Sequence, residues 1–189
     1  MSRFDILDTP LAGLMMLQRK PIGDNRGFLE RLFCIEDLHS LLSEQRIMQI
    51  NHTLTAQQGT VRGLHFQRPP HAEIKFVSCL RGKVFDVAVD LRQGSSTFLQ
   101  WHAEILSADN HRTLVIPEGF AHGFQALTDD CQMLYFHTAL YQPGAEAGLH
   151  ILVFAGQSRL LTYRRATHHM PHYPMISTES QYEMPSLWF

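Results

Sequence analysis

The sequence has little cysteine and little net charge. Its three cysteines, Cys34, Cys79 and Cys131, lie far apart in apolar runs and lack the spacing of metal ligands, so we expect buried free thiols. A formal net charge of −2 gives no general basis for binding nucleic acid or an anionic membrane. Any anionic ligand would therefore need cations placed locally around it.

Long apolar runs are also lacking. No stretch reaches the roughly 18 apolar residues of a membrane helix, and no basic start followed by an apolar run marks a signal peptide. We therefore expect a cytoplasmic protein that contacts neither membrane nor nucleic acid. A length of 189 residues with 44% hydrophobic content predicts one globular domain over residues 1–189.

The middle of the chain is rich in predicted strands. Ile74–Leu80 and Lys83–Leu91 flank a turn at Gly82, and period-two alternation in the second run separates Asp86 from the face of Phe85. Further apolar runs follow at Thr97–Ser107, Thr113–Ile116, Phe120–Leu127 and Gln132–Thr138. Short strands without intervening helices favour a β-sandwich or jelly-roll barrel over parallel βαβ units.

The N-terminal part contains the one predicted helix. Glu36–Leu42 carries acids in its first turn and presents three leucines on one face. Strands are predicted around Leu14–Leu17 and at Phe28–Ile35. From about residue 155 to residue 189 the pattern weakens.

Two segments concentrate reactive side chains. Gly59–Gln67 contains Arg62 and His65, and Lys75 follows ten residues after the histidine. An imidazole, a guanidinium and an ammonium are the groups needed to remove a proton beside a carbonyl, bind an anionic handle and stabilise an enolate. The segment Ile116–Phe124 adds a second histidine in a similar apolar setting.

Each of these residues also has a structural interpretation. Lys75 could be solvated, and His122 could be a hydrogen-bonded core histidine. Tyr135, in an apolar run, could serve core packing alone. Asp86 on an inward strand face would be costly unless it meets a cation or an imidazole.

A metal site is a further alternative. Gly59 to His65, with Glu73 and Gly82, is similar to the first metal motif of the cupin superfamily, but Gln67 stands where a second histidine is expected, and glutamine is a poor ligand for transition metals. The histidine-rich segment 167–172 fits a surface tail better than a metal centre. We expect no bound metal or other cofactor.

Six segments together carry a resemblance to a known family. They are Asp24–Glu30 (DNRGFLE), Gln49–His52 (QINH), Val61–Gln67 (VRGLHFQ), Phe85–Arg92 (FDVAVDLR), Ile116–Phe124 (IPEGFAHGF), and Leu134-Tyr135 continuing to Tyr141-Gln-Pro with Glu146 beyond. The chain resembles the dTDP-4-dehydrorhamnose 3,5-epimerase family of metal-independent cupins over about residues 24–148.

The resemblance implies a mainly β fold: a cupin-type jelly-roll β-barrel with a short N-terminal helix and a small helical or irregular C-terminal extension. It implies a homodimer in which strands of residues 1–45 are exchanged with the partner. The barrel core would be about residues 46–150, followed by a divergent segment at 151–189.

The resemblance also implies a reaction. Family members act on a dTDP-linked 4-keto-6-deoxy sugar, inverting carbons 3 and 5 by proton abstraction next to the ketone. By this resemblance His65 is the general base, Lys75 stabilises the enolate oxygen, and Tyr135 returns a proton from the opposite face.

The remaining implied residues bind substrate. Arg62 would hold the diphosphate, Gln49 and Asn51 would shape the site, and His122 paired to Asp86 would line it. Arg26 and Glu30 would reach the nucleotide of the partner subunit. Tyr141 and Glu146 complete the substrate-binding set.

One departure from the family pattern concerns the base. Family members carry Trp-Pro and then Leu-Ser-x-x-Asp near the end, and that aspartate orients the histidine; here the counterpart is Ile176–Ser180 (ISTES), which ends in serine. Without this carboxylate, the tautomer of His65 is not fixed and its charged form is not stabilised. Glu179 could substitute, or only one carbon could be epimerised. The alternatives are a homologue that binds a nucleotide sugar without turnover and, third, a metal-dependent cupin enzyme.

Overall fold

The computed structural model describes residues 2–42 and 44–149. The predictions for the C-terminal extension, for the ISTES segment and for the histidine-rich segment 167–172 lie outside these residues. Within the described part no helix is long and apolar enough to span a membrane. The cytoplasmic location stays a prediction.

Thirteen strands and one α-helix make up the described chain. They are β1 Phe4–Asp8, β2 Met15–Arg19, β3 Ile22–Asp24, β4 Gly27–Leu29, α1 Ile35–Leu42, β5 Gln49–Thr55, β6 Val61–Gln67, β7 Lys75–Arg81, β8 Lys83–Asp90, β9 Trp101–Ser107, β10 Arg112–Ile116, β11 Phe120–Ala126, β12 Cys131–His137 and β13 Glu146–Gly148. A short 3₁₀ turn, Pro143–Ala145, precedes β13.

The strands form two large sheets. A six-stranded sheet has the order β1-β2-β10-β7-β12-β5, a five-stranded sheet has the order β13-β6-β11-β8-β9, and β3-β4 forms a separate hairpin. Neighbouring strands pair antiparallel, including non-sequential pairs such as β10 with β2 and β11 with β6. This two-sheet jelly roll confirms the predicted fold class.

The space between the sheets holds the main core. Because side chains alternate along a strand, each sheet presents one apolar set inward. From the six-stranded sheet come Val77, Cys79, Leu114, Ile116 and Met133, and from the five-stranded sheet Val84, Ala88, Phe120, Phe124 and Ala126. Tyr135 belongs to the same cluster. Ionisable side chains on these inward faces are therefore surrounded by apolar walls.

Helix α1 covers the outer face of the six-stranded sheet. Leu38 and Leu42 are fully buried and pack with Phe76, Val115 and Phe136. Acidic residues in the first turn favour the helix start. The helix prediction is confirmed, with Ile35 as its first residue.

Two strand predictions need correction. The strand at Phe28–Ile35 ends at Leu29, because the next residues turn toward the α1 cluster, where Leu32 and Phe33 pack. The strand expected at Thr97–Ser107 begins at Trp101, because the preceding residues form a turn held on Asp90. The β7–β8 connection is as predicted, with Gly82 at φ +77°.

Candidate active site

The two segments singled out in the sequence form neighbouring strands. β6 and β11 pair so that His65 lies opposite His122 and Arg62 lies opposite Phe124, with an irregularity between these pairs. The centroids of the two imidazole rings are 6.1 Å apart. The pairing brings together histidines that are distant in sequence.

Glycine permits this close approach. A Cβ on Gly63 would lie 2.5 Å from the Cα of Gly123, and one on Gly123 would lie 2.6 Å from the carbonyl oxygen of Arg62. Gly63 also has φ +106°, a conformation that other residues rarely adopt. Both strands therefore need glycine near their histidine, where the two backbones come into contact.

The opposite sheet supplies the other reactive groups. Lys75 begins β7 and lies opposite His137 on β12, and Tyr135 shares the inward face with His137. The Tyr135 ring is 6.3 Å from the ring of His122 and stacks on the ring of His137 at 5.9 Å. The site is thus lined by both sheets.

His65 is held as a neutral imidazole. Burial lowers its pKa well below 6.5, and the nearby charge of Lys75 lowers it further, followed by His122 and His137. A neutral imidazole can accept a proton at neutral pH.

Lys75 is buried, which excludes the solvated-surface alternative. Its side chain is 5% exposed, and its Nζ lies 3.3 Å from Oε1 of Glu73. Burial lowers the pKa of Lys75, while Glu73 raises it. Apart from this ion pair, the Nζ has no partner among the described residues, so its remaining donors can face a ligand.

His122 and Asp86 form a buried pair, as the sequence predicts. Nε2 of His122 lies 2.9 Å and 3.0 Å from the two carboxylate oxygens. Burial raises the pKa of Asp86, and the hydrogen bond from His122 opposes that shift. The other ring nitrogen, Nδ1, is buried and has no partner in the described chain. His122 therefore combines an anchored nitrogen with one available to a ligand.

Tyr135 is a protonated phenol in this setting. It is 8% exposed, and burial, together with the charge of Asp86, raises its pKa far above the ordinary range. The hydroxyl therefore keeps its proton at neutral pH and can act as a donor.

Polar side chains predicted to bind substrate cluster at one end of the site. Gln49 donates to Asn51 Oδ1 at 3.1 Å and accepts from the backbone N–H of Tyr141 at 3.1 Å. The Tyr141 hydroxyl donates to Glu146 Oε2 at 2.8 Å, and burial and this carboxylate raise the pKa of Tyr141 to about 12. The structure brings these four residues together.

Arg62, on β6, contacts the opposite end of β5 from Gln49. Its Nε donates to the hydroxyl of Thr55 at 2.9 Å, and a terminal nitrogen donates to the carbonyl of Leu54 at 3.3 Å. These contacts link β6 of the five-stranded sheet to the end of β5 in the six-stranded sheet and orient the guanidinium.

Arg26 and Glu30 lie apart from the histidines. Arg26 is 86% exposed on the β3–β4 hairpin and pairs with Asp24 at 2.6 Å. Glu30 is instead largely buried within its own subunit, 3.0 Å from Arg19 Nε and 2.8 Å from His111 Nδ1. Their assignment to the nucleotide of a partner subunit stays a prediction.

Gln67 is a structural cross-link where the cupin motif has a ligand. Its oxygen accepts from the backbone N–H of Gln142 at 2.7 Å, and its nitrogen donates to the carbonyl of His71 at 3.1 Å. Over residues 2–42 and 44–149, no group of three or more His, Cys, Asp or Glu residues could hold a metal ion.

Two site residues have no role in the predicted epimerase site: His137 is not singled out by the sequence, and Glu73 is named only within the cupin metal motif. His137 Nδ1 donates to Glu73 Oε2 at 2.9 Å, beside Lys75. Period-two alternation could have found His137, which lies two residues after Tyr135 on β12. Glu73 lies before the start of β7, where this alternation gives no signal.

Two facing antiparallel sheets with histidine, lysine and tyrosine enclosed between them define a cupin-type jelly roll with an ionisable interior site. A family model described as dTDP-4-dehydrorhamnose 3,5-epimerase matches residues 8–154. The chain belongs to this family.

Individual relatives agree with the family match. The dTDP-4-dehydrorhamnose 3,5-epimerase of Salmonella typhimurium is 41% identical over 145 residues, covering 76% of this chain and 79% of the relative. The dTDP-6-deoxy-D-glucose-3,5-epimerase of Legionella pneumophila, solved in complex with dTDP-4-keto-L-rhamnose, is 41% identical with a TM-score of 0.75 and 79% coverage of both chains. The dTDP-4-dehydrorhamnose 3,5-epimerase of Bacillus anthracis, solved with TDP and PPi, is 37% identical with a TM-score of 0.75, covering 78% and 85%.

Proposed function

We propose that the protein epimerises a dTDP-linked 4-keto-6-deoxy sugar at carbon 3, carbon 5 or both. The observation that carries the proposal is a neutral imidazole on one sheet facing a buried ammonium and a buried phenol on the other. The names of the relatives and the dTDP-4-keto-L-rhamnose bound to the Legionella protein support the substrate class.

The first step is removal of a proton from the carbon next to the ketone. His65 takes this proton at its neutral imidazole, and the electron pair of the C–H bond moves into the enolate. The ammonium of Lys75 stabilises the negative charge that develops on the enolate oxygen. The donors of Lys75 that do not face Glu73, together with its low exposure, suit this role, because an ion pair is stronger where water is excluded.

The second step returns a proton to the opposite face of the same carbon. Tyr135 donates it from its hydroxyl, the enolate collapses to the ketone, and the configuration is inverted. His65 then holds the extra proton and Tyr135 lacks one, so proton exchange with solvent resets both groups. The raised pKa of Tyr135 makes this donor effective only toward a strongly basic enolate carbon.

The nucleotide end is assigned to polar residues at the edge of the site. Arg62 would contact the diphosphate, since guanidinium groups pair well with phosphate oxygens. Gln49, Asn51 and the Tyr141–Glu146 pair would contact the rest of the substrate.

We also propose a homodimer in which the β3–β4 hairpin meets the partner. Ile22, Phe28 and Leu29 on this hairpin are 47%, 65% and 71% exposed. Apolar side chains clustered at the surface are typical of an interface. Arg26 on the same hairpin and Glu30 at its end would then approach the partner's nucleotide.

The test is proton exchange in heavy water. The protein is incubated with dTDP-4-keto-6-deoxy-glucose in D₂O, and deuterium at carbons 3 and 5 is followed by NMR and mass spectrometry. We expect deuterium at one or both carbons. Folded protein that binds dTDP but incorporates no deuterium would overturn the proposal.

A second candidate is binding of a nucleotide sugar without turnover. The observation that favours it is that no described residue hydrogen-bonds the His65 ring, so this base has no carboxylate partner in the described chain. The same experiment separates the candidates, since calorimetric binding of the dTDP-sugar without deuterium uptake identifies the binding protein.

A further inference from the structure

The ammonium of Lys75 is held by a shared carboxylate. Glu73 Oε1 lies 3.3 Å from Lys75 Nζ, and Oε2 of the same carboxylate accepts from His137 Nδ1 at 2.9 Å. The side chains of Lys75, Glu73 and His137 are only 5%, 7% and 12% exposed. One anion therefore contacts both a cation and an imidazole in the interior.

A chain of hydrogen bonds fixes the tautomer of His137. The backbone N–H of Tyr141 can only donate, so the oxygen of Gln49 accepts and its amide nitrogen donates to Asn51 Oδ1. The Asn51 nitrogen, again a donor, lies 3.4 Å from His137 Nε2. That nitrogen must accept, so the ring proton is on Nδ1 and points to Glu73.

We propose that Glu73 and His137 form one positioning unit for Lys75, with His137 orienting the carboxylate that holds the ammonium in place. The proposal rests on the proposed function, in which Lys75 stabilises the enolate. Neither positioning residue needs to touch the substrate. Their role is to keep the charge and direction of Lys75 correct.

Charge balance favours this role. Lys75 faces groups on several strands: Glu73 before β7, Glu146 on β13, Asp86 on β8, and the imidazoles of His65 and His137, with His122 next to His65. Burial lowers the pKa of Lys75, and Glu73 is the strongest of the groups that raise it. Without Glu73 the ammonium would lose its proton at a lower pH.

His137 explains how a buried carboxylate remains in place. A carboxylate with one oxygen unpaired in an apolar interior is costly, and the Nδ1–H of His137 occupies the oxygen that Lys75 does not contact. The His137 ring is in turn fixed by stacking on Tyr135. The Glu73 carboxylate is therefore held in one orientation, and its contact with Nζ holds the Lys75 ammonium in one position.

The first test compares pH profiles of deuterium exchange for the wild type and Glu73→Gln. We expect the alkaline limb, where Lys75 loses its proton, to move about 1–3 pH units lower in the variant. We expect kcat to fall while KM changes little, because the contact acts on the enolate and not on substrate binding. A profile that superimposes on that of the wild type would overturn the proposal.

The second test varies His137. His137→Gln retains an N–H donor and should keep most of the exchange rate, whereas His137→Leu should show the same displaced alkaline limb as Glu73→Gln. The matched control is His102→Leu, which removes a histidine–glutamate pair of 2.9 Å on β9, outside the site. Equal profiles for His137→Leu and His102→Leu would contradict the positioning role.

A third measurement does not depend on turnover. Nitrogen-15 NMR of labelled histidine in the wild-type protein, assigned with His137→Gln, should show His137 protonated on Nδ1. Protonation on Nε2 would break the chain and overturn the proposal. If His137 of the wild type is protonated on Nδ1 but the protein exchanges no deuterium, the proposed function fails and the hydrogen-bonded unit still holds.

Discussion

His65 and His122 face each other across paired strands, but only His122 is tied to a carboxylate. Nε2 of His122 contacts both oxygens of Asp86, whereas the His65 ring has no hydrogen-bond partner in residues 2–42 and 44–149. The two similar sequence segments therefore play different parts. One imidazole is fixed in the wall, and the other is left to exchange a proton.

Replacing the base gives the most direct prediction. His65→Asn should lower deuterium exchange by about 10²–10⁴-fold, the usual contribution of a general base. Binding of dTDP should stay within a few-fold of the wild type, since His65 acts at the sugar carbon. Exchange kinetics and calorimetry measure the two effects. Equal losses of exchange and of dTDP affinity would contradict the assignment.

The pH dependence of exchange follows from His65 and Lys75. The reaction needs a neutral His65, whose pKa lies well below 6.5, and a charged Lys75, whose pKa lies below 10.5. The rate should therefore stay high below pH 6.5 and fall on the alkaline side before pH 10.5. A rate that halves near pH 6.5 would show an unshifted base.

The same histidine should make stability depend on pH. The unfolded chain binds a proton at His65 below about pH 6.5, and the folded chain does not until its lower pKa is reached. This contribution to stability is complete above pH 6.5 and is lost as the pH falls toward the folded pKa. Urea unfolding of the wild type and of His65→Asn should show a smaller loss for the variant over this interval.

The buried Asp86–His122 pair should matter for stability. Asp86→Ala leaves Nε2 of His122 without a partner and should lower the free energy of unfolding by about 3 kcal/mol. Asp86→Asn keeps an acceptor and should cost about 1 kcal/mol. The exposed Asp109→Ala should change it by less than about 0.5 kcal/mol. Urea unfolding gives all three values, and equal effects would refute the pair's role.

The glycine contact between β6 and β11 gives a matched comparison. Gly123→Ala would place a Cβ 2.6 Å from the Arg62 carbonyl and should destabilise the fold by about 1–3 kcal/mol. Gly94→Ala adds a methyl group where nothing lies within 4 Å and should be neutral or slightly stabilising. Thermal unfolding distinguishes them, and a neutral Gly123→Ala would show that the strands can separate without cost.

Much of the fold followed from local patterns. Alternation in Lys83–Leu91, the turn at Gly82 and the leucine face of α1 are short-range signals, and all three agree with the structure. The strand predicted to continue to Ile35 failed because Leu32 and Phe33 are drawn to the α1 cluster. That contact is between distant segments, which local apolar content does not reveal.

Site contacts could be predicted where the residue type and its place on a strand face together required a partner. Asp86 needed a partner if it faced inward, and His122 is that partner. The burial of Lys75 was not predictable, because a lysine at the start of a strand is usually solvated. The ion pair with Glu73 that permits its burial is visible only in the structure. The burial of Glu30 was not predictable either, since its partners, Arg19 on β2 and His111 just before β10, are distant from it in sequence.

The reacting groups come from different sheets, with His65 and His122 on one and Lys75, Tyr135 and His137 on the other. Their separation is therefore set by the thickness of the apolar layer between the sheets, and neither sheet alone holds a working set. A substitution deep in that layer, far from any substrate atom, would change the gap between proton acceptor and proton donor. The turnover rate should therefore be sensitive to the spacing between the sheets. It should fall in variants that change this spacing even while the chain stays folded.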